Sequence, residues 1–158
     1  MEEKKQSYFG QGPKIFRPAF LWAIAAALGT WLWPEVLRIS NPAGALSGWI
    51  LIVLGGALYC WGLKHMVKAV KSGQLDTSGP FSLVRHPMYS AILVFVFPGI
   101  ALASGAWLIV GSSVVGWLAF RRWAQTEELK LVEIFGQAYQ EYRQTTPMLI
   151  PFTKANSE

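Results

Sequence analysis

Residues 45–63 read ALSGWILIVLGGALYCWGL, nineteen residues without one charged side chain. A helix needs roughly 17–25 apolar residues to cross a bilayer, so this stretch places the chain among membrane proteins. The composition agrees. Of 158 residues, 53% are hydrophobic and 15% charged, where soluble domains carry about a quarter charged. Three further apolar runs lie around it. Pro18 to Trp33 stops at Pro34, whose ring cannot continue a helix. Tyr89 to Ala103 is interrupted by Pro98-Gly99, and Ala106 to Phe120 follows after a tight hairpin at Ser104-Gly105. The last two are short, and they imply tilt or extension by flanking residues. Trp31, Trp33, Trp49, Trp61, Trp107 and Trp123 stand near segment ends, as an aromatic belt does. Ala25 with Gly29, Gly44 with Gly48 and Ser112 with Gly116 repeat small residues at the spacing that lets helices approach closely in lipid.

The cations are placed unevenly. Lys4, Lys5, Lys14 and Arg17 precede the first run, and Lys64, Lys68, Lys71 and Arg85 follow the second. Arg121, Arg122, Lys130, Arg143 and Lys154 follow the fourth, leaving only Arg38 for the other two connections. Thirteen against one puts both termini on the cytoplasmic side. The first run lacks a small-residue cleavage site before Pro34 and reads as an uncleaved helix, not a signal peptide. The expected fold is all-α: one integral membrane domain over residues 1–158. It is a multi-pass bundle of about four transmembrane helices with a cytoplasmic, amphipathic C-terminal helical segment. The net charge of +5 does not point to nucleic acid, because the basic residues form no single patch. One cysteine, Cys60, and two histidines, His65 and His86, supply neither a disulfide nor a structural zinc site.

This topology brings two polar pieces, 64–87 and 121–158, to one side of the membrane. In the first, Arg85, His86 and Tyr89 crowd around Pro87 at the lip of an apolar run. Taken singly, Arg85 reads as a snorkelling cation and Tyr89 as an interfacial ring. His86 is not a belt residue, and Pro87 restricts it to extended geometry, so the three polar groups surround a rigid bend. In the second piece, Leu131, Val132, Phe135, Ala138, Tyr139 and Tyr142 share one helical face. Glu128 lies on that face with Arg121 two turns behind it, and Glu127 lies at its border. Such an acid faces protein or a bound cation, and a structural Arg–Glu pair stands as the alternative. Gly136 breaks or kinks the helix, and Thr145-Thr146-Pro147 ends it. No phosphate-binding glycine loop, nucleophile elbow or metal-ligand set is present. The groups on hand suit a zwitterion: acids for an ammonium, Arg or His for a carboxylate, aromatic rings for a flat base or a sulfonium.

The motifs RHPMYSA (85–91), EELKLVEIFGQAYQEY (127–142) and PMLIPF (147–152) resemble the isoprenylcysteine carboxyl methyltransferase family, whose relatives include the phospholipid N-methyltransferases. The resemblance covers residues 73–152. It implies a membrane enzyme that transfers methyl groups from S-adenosyl-L-methionine to a lipophilic small-molecule or lipidated acceptor among membrane lipids, with its catalytic region in that segment. By position, it assigns cofactor contacts to Gln74, Leu75, Phe81, His86, Pro87, Met88, Tyr89 and Glu127, with Glu128, favoured by the helical face, as the second acid. For catalysis, Arg85 or an Arg of the 121–122 pair, here Arg122, is the candidate to orient the acceptor, and His86 or Glu128 the candidate base for an amine acceptor. Phe81 stands where family members commonly carry Tyr, and Trp123 where they carry a substrate-associated Arg. Two rivals remain. Sterol reductases that bind NADPH carry a similar Arg-His-Pro-x-Tyr motif, and a non-enzymatic membrane adaptor would use both clusters as anchors.

Overall fold

The computed structural model describes residues 11–39, 42–151 and 153. Lys4, Lys5 and Lys154, counted in the charge asymmetry, and Phe152 of the closing motif lie outside them. The described residues are helical, with one isolated antiparallel bridge, Arg38 to Ala106. Helix α1 spans Gly12–Leu32, α2 Pro34–Leu37, α3 Pro42–Ser72, α4 Pro87–Ser104, α5 Val110–Phe135 and α6 Gln137–Thr145. Short 3₁₀ turns at Gly79–Ser82 and Trp107–Ile109 precede α4 and α5.

Three helices, α1, α3 and α4, are long and apolar enough to cross a membrane. The fourth apolar run is divided between the 3₁₀ turn at Trp107 and the first half of α5, which turns polar at Arg121. Two boundaries differ from expectation. Helix α1 begins at Gly12 and carries Pro18 inside it. Pro18 is the seventh residue of the helix, so it costs the bond its N–H would have made to the Lys14 carbonyl, yet the helix continues through it. Pro98 does not interrupt the third run either, since α4 is continuous from Pro87 to Ser104. Pro98 has no N–H for the carbonyl of Val94. A wider π turn, Ala91–Val96, lies over that residue, with the Phe97 N–H reaching back to the Ile92 oxygen.

Helix α1 packs along α5 and α3 along α4, with α4 also meeting α5. Small residues set both crossings. A Cβ on Gly48 would strike the backbone at Gly99 and Ala103, so α3 and α4 touch main chain to main chain. On α5, Gly116 leaves room for Ala19 of α1 and Leu93 of α4. The Ala25–Gly29 pair does not behave this way. Ala25 is exposed, and Gly29 meets Leu37 of α2. The α1 seam is made instead by Ile15, Ala19, Ala26 and Thr30. Outward faces carry Leu21, Leu28, Leu46, Val53 and Leu118 exposed, the pattern of lipid-facing helices. Helix α3 runs on past the apolar stretch through Lys64, Lys68 and Lys71, and ends before Gly73 at φ 66°.

Candidate functional site

The site is assembled where the projecting end of α3, the start of α4 and the far end of α5 converge. His86 has φ −125° and ψ 64°, outside the helical region that a following proline disfavours but short of the extended geometry expected, and Pro87 then opens α4. That geometry points the backbone of Arg85 and His86 away from the helix, where it needs partners. The segment after α6 supplies them. Arg85 N–H donates to the Pro147 oxygen at 2.8 Å and His86 N–H to the Met148 oxygen at 3.1 Å. Ser90 Oγ donates to the Leu149 oxygen at 2.6 Å, and Tyr142 Oη donates to the Phe81 oxygen at 2.6 Å. The two polar pieces are thereby joined.

Between them lies a cavity of about 460 Å³. The loop after α3 lines it with Gln74, Leu75, Asp76 and Phe81. Arg85, His86, Pro87, Met88 and Tyr89 line it from the start of α4, and Glu127 from α5. Tyr89 Oη donates to Glu127 Oε2 at 3.1 Å, so the carboxylate at the wall is held by one hydroxyl. The rings of His86 and Tyr89 pack against Phe120 at 5.1 and 5.3 Å, and Phe16 lies 5.1 Å from Tyr89.

Glu128 has a different place. It is 2% exposed and does not line the cavity. Its Oε1 lies 2.7 Å from Arg85 Nη1 and 3.4 Å from His86 Nε2, and its Oε2 lies 3.4 Å from Arg143 Nε. Burial alone would raise this carboxyl, but the His86 hydrogen bond and the cations of Arg85 and Arg143 hold it below the ordinary value. Glu128 is therefore a buried counter-charge that fixes Arg85 and His86, and Arg121, on the exposed side of α5, is not its partner.

Arg122 does not join the others. It is exposed, its guanidinium stands 5.1 Å from the Trp123 ring, and it does not line the cavity. A catalytic role for it has no geometric basis here. Conversely, the cavity includes residues not singled out from the sequence: Gly12, Pro13 and Phe16 of α1 and Tyr59, Leu63, Met66 and Ala69 of α3, while Leu131 and Phe135 of α5 line it from the apolar face already noted. Tyr139 and Tyr142 also line it. Their place on the apolar face was legible, but not a role. Burial pushes both hydroxyls far above their ordinary pKa, so both stay protonated. Among the described residues, Tyr139 Oη and Arg85 Nε are buried without a hydrogen-bond partner. No group of His, Cys, Asp and Glu among those residues could hold a metal ion.

The loop wall is fastened to α3 by one ion pair. His65 Nδ1 lies 2.9 Å from Asp76 Oδ2, while Asp76 Oδ1 accepts from Ser78 N–H at 2.9 Å and Ser78 Oγ at 2.6 Å. Burial raises the Asp76 carboxyl, but these hydrogen bonds and His65 bring it below its ordinary value of 3.8. A lowered carboxyl stabilises the folded loop above that ordinary value, and the contribution is lost as pH falls through the lowered one. His65→Ala is expected to speed amide exchange over residues 74–78 about tenfold at neutral pH, a local opening that leaves the melting midpoint in place. Equal exchange in the two proteins would show that the loop stands without the pair.

Residues 43–138 match the family model described as phospholipid methyltransferase. Human protein-S-isoprenylcysteine O-methyltransferase is 29% identical over 146 residues, covering 82% of this chain and 51% of that protein. Methanethiol S-methyltransferase of Pseudomonas deceptionensis is 28% identical over 155 residues, covering 80% of this chain and 55% of that protein. Protein-S-isoprenylcysteine O-methyltransferase of Schizosaccharomyces pombe is 33% identical over 97 residues, covering 56% and 38%. The chain thus spans about half the length of the curated relatives it matches. No solved structure matches it. A match over most of the chain, on the same motifs that build the cavity, decides the family: this chain belongs to the phospholipid methyltransferase family.

Proposed function

We propose that the chain is a membrane-embedded methyltransferase that binds S-adenosylmethionine in the cavity between the 73–81 loop and α5, and methylates a lipophilic acceptor. The observation that carries this reading is Glu127, a carboxylate at the wall of a largely apolar cavity, held by Tyr89. An acid there costs free energy unless a cation faces it, and the ammonium or sulfonium of the cofactor is such a cation. The rest of the lining fits the same molecule. Phe81 and Tyr139 offer flat surfaces for a base, and the unpartnered Arg85 Nε and Tyr139 Oη can donate to a carboxylate.

When bound, S-adenosylmethionine supplies an electrophilic methyl group, passed in line to a nucleophile of the acceptor with loss of the sulfonium charge. The protein's part is positioning and the exclusion of water. Glu127 holds the cationic end of the cofactor, and Glu128 keeps Arg85 and His86 fixed beneath it. The packed rings of Tyr89 and Phe120 shield the reacting centre. A thiolate or carboxylate acceptor needs no proton removed in the step, so no general base is required.

The same reading sets the orientation. The apolar first half of α5 serves as a fourth span, residues 73–152 form the catalytic region of one membrane domain, and both termini lie in the cytoplasm. Isothermal titration of the detergent-purified chain with S-adenosylmethionine and with NADPH tests the proposal. Saturable binding of S-adenosylmethionine alone is expected. Binding of NADPH alone would make the site a reductase's, and binding of neither would leave the polar clusters as membrane anchors.

A further inference from the structure

We infer that α1 forms the acceptor-binding wall of the cavity and that Phe16 sets the size of acceptor that fits. The inference rests on the methyltransferase reading above. Its starting point is a mismatch of extents. The family segment begins at residue 43, yet Gly12, Pro13 and Phe16 of α1 line the cavity. A wall lying outside the matched segment is a place where selectivity can differ without disturbing the shared machinery.

The chemistry of the lining divides the cavity. Its charged residues, Asp76, Arg85 and Glu127, belong to the loop, its junction with α4, and α5. The parts given by α1 and α3, namely Gly12, Pro13, Phe16, Tyr59, Leu63 and Met66, carry no charge. A zwitterionic cofactor is matched to the first set, and the apolar body of an acceptor to the second. Lys14 and Arg17, the cations beside these α1 residues, do not line the cavity, and Lys14 Nζ stands 4.3 Å over the Trp123 ring. Helix α1 packs on α5 and α3 on α4, so the two apolar parts of the lining are carried by helices with different neighbours.

The α1 wall is also preset. Ile15 and Ala19 are fully buried, and Gly116 of α5 lacks the Cβ that would press on Ala19 and Leu93. Trp22 Nε1 donates to the Leu108 oxygen at 2.9 Å. These contacts fix the register of α1 one to two turns from Phe16. The Phe16 ring then lies 5.1 Å from Tyr89, whose hydroxyl holds Glu127 at 3.1 Å. Phe16 is thus one ring removed from the charged end of the site, where an acceptor must meet the methyl group.

The test uses the full chain in nanodiscs with labelled S-adenosylmethionine. The acceptors are straight-chain alkanethiols from methanethiol upward and an S-prenylated cysteine. Phe16→Leu and Phe16→Ala should raise kcat/KM for bulky over small acceptors about tenfold or more, the scale on which hydrophobic pockets discriminate, and Phe16→Trp should move it the other way. Calorimetric affinity for S-adenosylmethionine should be unchanged in all three, which also shows that the variants are folded. An unaltered acceptor ranking overturns the inference, as does a loss of cofactor affinity in step with activity, which would put Phe16 on the cofactor's side. Cofactor binding by the unsubstituted chain without methylation of any of these acceptors overturns the acceptor wall and leaves the cofactor site standing. No cofactor binding by the unsubstituted chain overturns both.

Discussion

Glu128→Ala is expected to destabilise the protein by about 3–5 kcal/mol, the cost of leaving a buried charge without its partner. The Arg85 side chain is 1% exposed and that of Glu128 2%, so water cannot take over the lost interaction. His86 and Arg143 would lose the same carboxylate. Unfolding in detergent by heat or by a denaturing surfactant should show the change directly. The double substitution Glu128→Leu with Arg85→Met should recover much of it, because an apolar pair of similar volume needs no counter-charge. A Glu128→Ala protein as stable as the original would mean that Arg85 finds other partners, and that Glu128 is not the counter-charge described above.

Glu127→Gln should do the opposite: little to stability, much to binding. The substitution keeps the shape and the contact with Tyr89 but removes the charge that faces the cofactor. A hydrogen bond to a charged group is worth about 1.5–3 kcal/mol, so affinity for S-adenosylmethionine should fall about ten- to hundredfold by calorimetry. The two neighbouring acids then form a matched pair of experiments. If Glu127→Gln binds normally while Glu128→Gln does not, the roles are reversed and the cavity wall is not where the cation sits.

The parts of the site legible in the sequence were those dictated by local constraint. A proline after Arg85-His86 fixes the bend whatever the rest of the chain does, and the i, i+3, i+4 pattern puts Glu128 inward with Tyr139 and Tyr142 beyond it. What could not be read there depends on tertiary approach. Phe16, Tyr59 and Leu63 belong to helices apolar on nearly every side, so no periodicity marks which face meets the cavity. The His65–Asp76 pair joins a helix to a loop across a turn that passes through Gly73 at φ 66°. Arg122 was misplaced for a related reason. Arg121 and Arg122 both face outward on α5, beside Trp117 and Trp123, because the inward face is taken by Phe120, Ala124 and Glu128. At Pro98 the expectation of a break failed: the helix is continuous, with a π turn just before the proline.

The pairing of residues 85–90 with 147–149 also governs when the protein can work. Ser90 and Leu149 stand 59 positions apart, and between them the chain must complete α4 and form α5 and α6. During synthesis, α3 and α4 are therefore inserted while the Arg85 and His86 amides still face water or headgroups. A nascent chain halted before residue 147 would have its helices in place but no closed binding surface. Closure of the cavity is thus the last event of assembly, after the helices that frame it are made.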